Sequence, residues 1–229
     1  MTDLATSPGD AGRTDPAQSL TLSGPGQGGR AVLRTTPTSP YGRKVRIAAR
    51  VLGLDDRIET VPANTLDDQD DLRDQNPLGK MPCLLVGDTV LFDSRVILEF
   101  LDAVAGGGRL IPVAGMDRFR TLTQATLADG VADAALLMVY EARFRSDTSH
   151  SDRWMAHQLG KVARGLDALQ AAPPDPAVTD AAAISLACML SYLDWRQPVE
   201  WRAHWTGLVQ WLDAFAAAEP AFAETRRPE

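Results

Sequence analysis

Cysteine is scarce in this chain: Cys83 and Cys188 are the two among 229 residues, far apart and without partner spacing. That excludes the disulfide framework of a small secreted domain and fits a reducing cytoplasm, with both thiols read as small buried apolar groups. Histidine is almost as rare. His150, His157 and His204 have no metal-ligand spacing, no adjacent cysteine and no paired carboxylates, so no metal is expected. Basic charge is the third shortage: 23 lysines and arginines stand against 30 acidic residues, a formal net charge of −7, and no basic stripe gathers them. A nucleic acid partner is thereby disfavoured. The first 30 residues hold no apolar run of the length a signal peptide or membrane span requires, so no membrane partner is expected.

What the chain does have is apolar content, 45% of its residues, enough for one large core or two small ones. Residues 1–30 are rich in Gly, Pro, Ser, Thr and Asp and read as a disordered tail. From Ala31 onward short strands and helices alternate. "AVLRTT" is strand-like, and "SPYGRKVRIAARVLGL" sets Val45, Ala48, Ala49 and Leu52 on one helical face, with Pro40 suited to the first turn and Gly53 to the end. "RIETVP" can form a second strand. The acidic "DDQDDLRDQNPLGK" supports at most a short, solvated helix. "MPCLLVGDTVLF" reads as two strands turning at Gly87-Asp88, and "DSRVILEFLDAV" as a helix with Val96, Ile97, Phe100 and Leu101 inward. The order is β-α-β-α-β-β-α over residues 31–104.

Gly106 to Gly108 break that pattern, which makes 105–112 a linker and 113–229 a second domain. Everything in it reads helical. Two long helices lead to the prolines of "APPDP", then to "DAAAISLACMLSYLDWR", apolar on all sides in its middle and capped by Asp180. That is the pattern of a central helix buried in a bundle. Trp195, Trp201, Trp205 and Trp211 near the C-terminus read as helix-packing aromatics rather than a stacking platform.

Three short motifs carry more than the architecture does. They are Ser39-Pro40-Tyr41 with Arg43-Lys44, then Asn76-Pro77-Leu78-Gly79-Lys80-Met81-Pro82, then Phe92-Asp93-Ser94. With "LADG" at Leu127 to Gly130 and the central helix, they give the chain from about Ala31 a resemblance to the cytosolic glutathione transferases of bacteria. The resemblance implies a thioredoxin-like α/β domain followed by an all-helical bundle, and a homodimer with a detoxifying role in the cytoplasm. Glutathione is the implied co-substrate, conjugated to a small hydrophobic electrophile.

By the same resemblance Ser39 donates to the sulfur of glutathione at a helix start, where unpaired N–H groups and the helix dipole favour a thiolate. Thr38 is the adjacent alternative donor, and a plain helix cap is the simpler role for Ser39. The Met81-Pro82 bond is cis in the family, leaving the Met81 backbone to pair with the cysteinyl unit. Lys80 reaches the glycine carboxylate. Asp93 and Ser94 take the γ-glutamyl end at another helix start. Tyr41, Met138 and Arg143 are candidates for the electrophile pocket. Ala183 stands where the family commonly has an acidic residue, which weakens a capping box at Asp180. Two rival functions follow: a noncatalytic binding or regulatory protein of the same fold, and a glutathione-dependent thiol oxidoreductase, which wants a cysteine where Ser39 stands.

Overall fold

The computed structural model describes residues 20–145 and 151–228. Its first half is a four-stranded sheet of β1 (Ala31–Thr35), β2 (Ile58–Pro62), β3 (Cys83–Val86) and β4 (Thr89–Leu91), in the order β2-β1-β3-β4. β1 and β2 run parallel, with Leu33 opposite Thr60, while β3 and β4 are antiparallel to their neighbours. All five residues of β1 are buried, as a central strand covered on both faces requires. The helices α1 (Pro40–Val51), α2 (Leu72–Gln75) and α3 (Ser94–Val104) complete the expected β-α-β-α-β-β-α order of a thioredoxin-like unit. α1 begins at Ser39 and Pro40 because proline needs no amide partner in the first turn and the serine oxygen accepts the N–H of Gly42.

Two expectations change here. Residues 20–30 belong to the folded body rather than to the disordered tail. Leu22 is 3% exposed in the core, Gly87 N–H donates to Ser23 C=O, and Gln27 N–H donates to Glu59. An apolar side chain with a slot beside the sheet outweighs the Gly-rich composition around it; residues 1–19 lie outside the described part. The second change is Val96, which is 48% exposed, while Ile97, Leu98 and Leu101 form the buried stripe of α3. In a helix starting at Ser94 the inward stripe falls on 97, 98 and 101, so Val96 rotates to solvent.

Asp102, buried at the end of α3, gathers the linker: its carboxylate accepts from the N–H groups of Gly108, Arg109 and Leu110. Among the described residues six helices follow: α4 (Gly115–Phe144), α5 (Asp152–Ala171), α6 (Ala181–Arg196), α7 (Trp201–His204), α8 (Thr206–Ala218) and α9 (Pro220–Glu224). α4 is long and apolar enough by composition to cross a membrane, yet it packs along α5 and α6. Gly165 lets α4 and α5 approach, since a Cβ there would sit 2.2 Å from a Val131 methyl. α6 is the central helix, buried at every position from Ala181 to Leu190, and Asp180 Oδ1 accepts from Ala183 N–H at 2.9 Å. Trp201, Trp205 and Trp211 are buried and donate their indole N–H to Asp194, Asp167 and the Pro174 carbonyl. Trp195 is partly buried, packing against the same core edge-on to Tyr192.

Candidate functional site

Strand direction brings the three motifs to one end of the sheet. β1 pairs antiparallel with β3, Arg34 opposite Cys83, so the end of β1 and the start of β3 lie side by side. β3 pairs antiparallel with β4, Leu84 opposite Leu91, so the end of β4 arrives there too. The segments leaving or entering at that end are Thr36–Ser39, Lys80–Pro82 and Phe92–Ser94. A direct contact joins the first two: the Thr36 hydroxyl donates to the Met81 sulfur at 3.5 Å.

Hydroxyl bookkeeping separates Ser39 from Thr38. The Ser39 oxygen accepts from Gly42 N–H at 3.1 Å, which uses a lone pair and leaves its O–H free to donate. Thr36 and Thr38 share a contact of 2.9 Å. A thioether sulfur only accepts, so the arrangement that satisfies both Thr36 contacts has Thr38 donating its one proton back to Thr36. Ser39 is therefore the hydroxyl donor left at this helix start, half-buried beside the exposed Thr38.

The Met81-Pro82 bond is cis. Asn76 is buried and holds that loop, donating to the Lys80 carbonyl at 2.8 Å and accepting from Leu78 N–H at 3.0 Å. Cys83 also donates to the Lys80 carbonyl, and burial pushes its thiol up to about 11. The Lys80 side chain is exposed. At the third motif Asp93 caps α3 through Arg95 N–H at 2.8 Å and pairs with the Arg95 guanidinium at 2.7 Å. Burial pushes the Asp93 carboxyl up, but these bonds to Arg95 outweigh it and hold it below the usual carboxylate range. Ser94 is buried as the first residue of α3. Arg95 is a site residue the sequence reading missed; its position next to Asp-Ser at a helix start was the available signal.

α1 is tied to the helical half beneath this edge. Lys44 and Asp129, both buried, pair at 2.7 and 2.8 Å, and Arg95 stands 3.9 Å from the same carboxylate. Burial pushes the Asp129 carboxyl up and the Lys44 charge pulls it down. Tyr41 donates to Asp133 on α4, and burial with that carboxylate raises its phenol well above the ordinary range. The "LADG" similarity thus marks a contact between the halves.

Beside Ser39 opens a cavity of about 250 Å³. Thr38 and Ser39 line it from the entry to α1 and Arg43 from α1 itself, Tyr192 and Trp195 from α6, and Arg226 and Arg227 from the segment after α9. None of Tyr41, Met138 and Arg143 is among its lining residues. Tyr41 is turned to Asp133, Met138 is packed in the core, and Arg143 is exposed near the end of α4 beside Tyr140. Nothing local in the sequence links α1 with a segment some 180 positions away, so the arginines went unread.

Residues 38–104 match the family model "Glutathione S-transferase, N-terminal domain". The chain is 31% identical over 196 residues to the uncharacterized GST-like protein YibF of Escherichia coli (strain K12), covering 80% of this chain and 95% of that one. A glutathione transferase family member from Pseudomonas fluorescens Pf-5, solved with bound glutathione, is 39% identical with a TM-score of 0.79, covering 87% of this chain and 100% of that one. The same organism's family member has been solved with S-(propanoic acid)-glutathione, at 38% identity, a TM-score of 0.77, and coverage of 86% and 100%. A stringent starvation protein A homolog of Coxiella burnetii matches over 88 residues at 38% identity, which is 38% of this chain and 41% of that protein.

Proposed function

The chain belongs to the glutathione S-transferase family, and we propose that it binds glutathione along the sheet end and conjugates its thiolate to a small electrophile held in the cavity beside Ser39. The observation that carries this reading is the Ser39 hydroxyl: its oxygen is occupied by Gly42 N–H while its proton is free. A sulfur seated there receives one hydroxyl donor and the positive end of α1, both of which favour the thiolate. The protein contributes no nucleophile; it lowers the thiol pKa of its co-substrate and orients it.

The cysteinyl unit pairs with the Met81 backbone ahead of cis Pro82, as a short added strand. The γ-glutamyl carboxylate sits at the start of α3 on Ser94, and its ammonium faces Asp93, which shares itself with Arg95. Lys80 reaches the glycine carboxylate. The relative from Pseudomonas fluorescens, holding glutathione and a glutathione substituted with propanoic acid, supports a tripeptide site with room beyond the sulfur. The electrophile's apolar body rests on Tyr192 and Trp195. Tyr41, Met138 and Arg143 act from outside the cavity, positioning α1 and α4 around it.

A cytoplasmic homodimer fits the surface. Met116 and Phe119 on α4 are 64% and 59% exposed, Val96 on α3 is exposed nearby, and the Arg118–Glu99 pair at 2.8 Å sets these two helices side by side. Sedimentation of the purified chain tests it.

The 88-residue similarity to a stringent starvation protein A homolog favours one second reading, a regulatory protein that binds without catalysing. Conjugation of glutathione to 1-chloro-2,4-dinitrobenzene across pH, in wild type and Ser39→Ala, decides between them. Turnover that falls in the variant, with its pH profile moved upward, is the transferase result. Tight glutathione binding without turnover gives the regulatory protein, and no binding of glutathione sinks both.

A further inference from the structure

The cavity beside Ser39 is unusual in its charge. Arg43, Arg226 and Arg227 line it, and its one acidic lining residue, Asp194, is already taken by Arg202 at 2.6 and 2.7 Å and by the Trp201 indole. Arg43 is 7% exposed and its guanidinium meets no carboxylate among the described residues: it donates to Ser191 Oγ and the Phe222 carbonyl at 2.6 Å and to Thr225 Oγ1 at 3.3 Å, and lies over the Phe222 ring at 4.2 Å. Desolvation lowers its pKa, the sign of a buried cation short of a counter-charge. Arg227 stacks on Trp195 with its guanidinium carbon 4.7 Å from the ring centroid, and Arg196 covers the same ring at 3.6 Å. Tyr192, 4% exposed, also lines the cavity, but its hydroxyl is buried away from it and faces the Arg196 side chain.

Three arginines around one cavity, with no carboxylate free to pair with them among the described residues, ask for an anionic ligand group. We propose that the electrophile is an acid: its carboxylate is held by Arg226 and Arg227, with Arg43 supplying fixed positive charge behind them, while its unsaturated body lies beside Trp195. The class is a small α,β-unsaturated carbonyl compound carrying a carboxylate. Forked guanidinium groups match a carboxylate, and the partly enclosed cavity strengthens the pairing. This rests on the conjugation reading above and names the substrate class of that site.

The step balances without an outside reagent. The thiolate sulfur bonds to the carbon β to the activating carbonyl, and the C=C π pair moves to the α-carbon and its carbonyl as an enolate. A solvent proton then completes the α-carbon, replacing the proton the thiol gave up. Nothing leaves, and no oxidant or reductant is consumed.

The test uses trans-3-benzoylacrylate and its ethyl ester, each rate kcat/KM being divided by the uncatalysed rate of that compound with glutathione. Wild type favours the acid over the ester by about tenfold, the worth of one charge-assisted hydrogen bond, and Arg226→Gln with Arg227→Gln brings the ratio close to one. A wild-type ratio near one, or a ratio the arginine substitutions leave in place, overturns the proposal. If neither compound is turned over, the conjugation reading has failed and binding decides the acid site, read by calorimetry and Trp195 quenching with S-(2-carboxyethyl)glutathione against S-propylglutathione. Tighter binding of the acidic compound, lost in the double variant, upholds it; equal binding overturns it.

Discussion

The sheet end that carries Ser39, Met81 and Ser94 and the cavity that carries Tyr192, Trp195 and two arginines meet at Ser39, yet they are assembled on different scales. The sheet end is made of helix starts and a turn, each specified by four or five adjacent residues: Ser39-Pro40 opens α1, Asn76 holds the Lys80 carbonyl, Asp93 caps α3. The cavity is made of single side chains from α1, α6 and the segment after α9, brought together by Arg43 bonding to Ser191 and Phe222. Backbone-built recognition suits a constant co-substrate, because amide groups do not depend on side-chain identity. A wall of side chains can vary its chemistry while the fold stays the same.

The pair that ties α1 to the helical half is where the largest effect is expected. Lys44→Ala leaves the buried Asp129 with only Arg95, 3.9 Å away, and lowers stability by about 3–5 kcal/mol in urea unfolding, whereas Lys44→Met with Asp129→Leu recovers most of that loss. A small loss in the single variant would mean that α1 and the helical half are not coupled through this pair. Next comes Ser39→Ala, which removes the free donor: kcat/KM for conjugation falls about 100-fold, and the apparent pKa of the reaction climbs toward that of a free thiol, about 8.5. An unaltered pH profile would move the sulfur contact to the α1 amides.

A third expectation separates the regions by pH. Desolvation raises the Asp70 carboxyl, but the N–H groups of Asn64 and Leu72 and the Arg34 guanidinium, at 2.7 Å, outweigh it, so its pKa in the fold lies below the ordinary value of 3.8. Its stabilisation is complete above the unfolded pKa and fades as pH falls through the folded one. Urea midpoints should therefore drop below about pH 4 in wild type, and less so in Asp70→Asn. The acid-to-ester ratio reports on guanidinium rather than carboxylate groups, and is expected to stay flat from neutral to alkaline pH. The smallest effect is expected from Tyr41→Phe. Losing its bond to Asp133 costs about 1 kcal/mol by urea unfolding, and the variant shifts the acid-to-ester ratio less than the arginine substitutions do.

Much of the fold was legible because its signals are local. The strand at Ala31, the turn at Gly87-Asp88 and the caps at Ser39, Asp93 and Asp180 each follow from a few neighbouring residues. Where the reading erred, a longer-range contact won. Leu22 found a slot in the core that the composition of residues 1–30 did not announce, and Val96 turned outward because the register of α3 is fixed by its cap. At the site, Ser39 could be named from sequence, but its priority over Thr38 rests on which hydroxyl proton is spent, a matter of contacts between Thr36, Thr38 and Met81. Tyr41, Met138 and Arg143 were placed by the family resemblance; Tyr41 on α1 turns to Asp133 and α4 packs Met138 into the core, and none of the three lines the cavity.

The sequence by itself determined the order of elements, the family and the three motifs of the sheet end, since capping, proline placement and strand alternation act over one or two turns of chain. Only the tertiary structure decided what stands opposite Ser39. Helix packing turned Tyr192 and Trp195 toward α1, and Arg43 drew the last segment across so that Arg226 and Arg227 close the cavity. Contacts of that kind depend on how whole helices rotate against one another, which no short stretch of residues encodes.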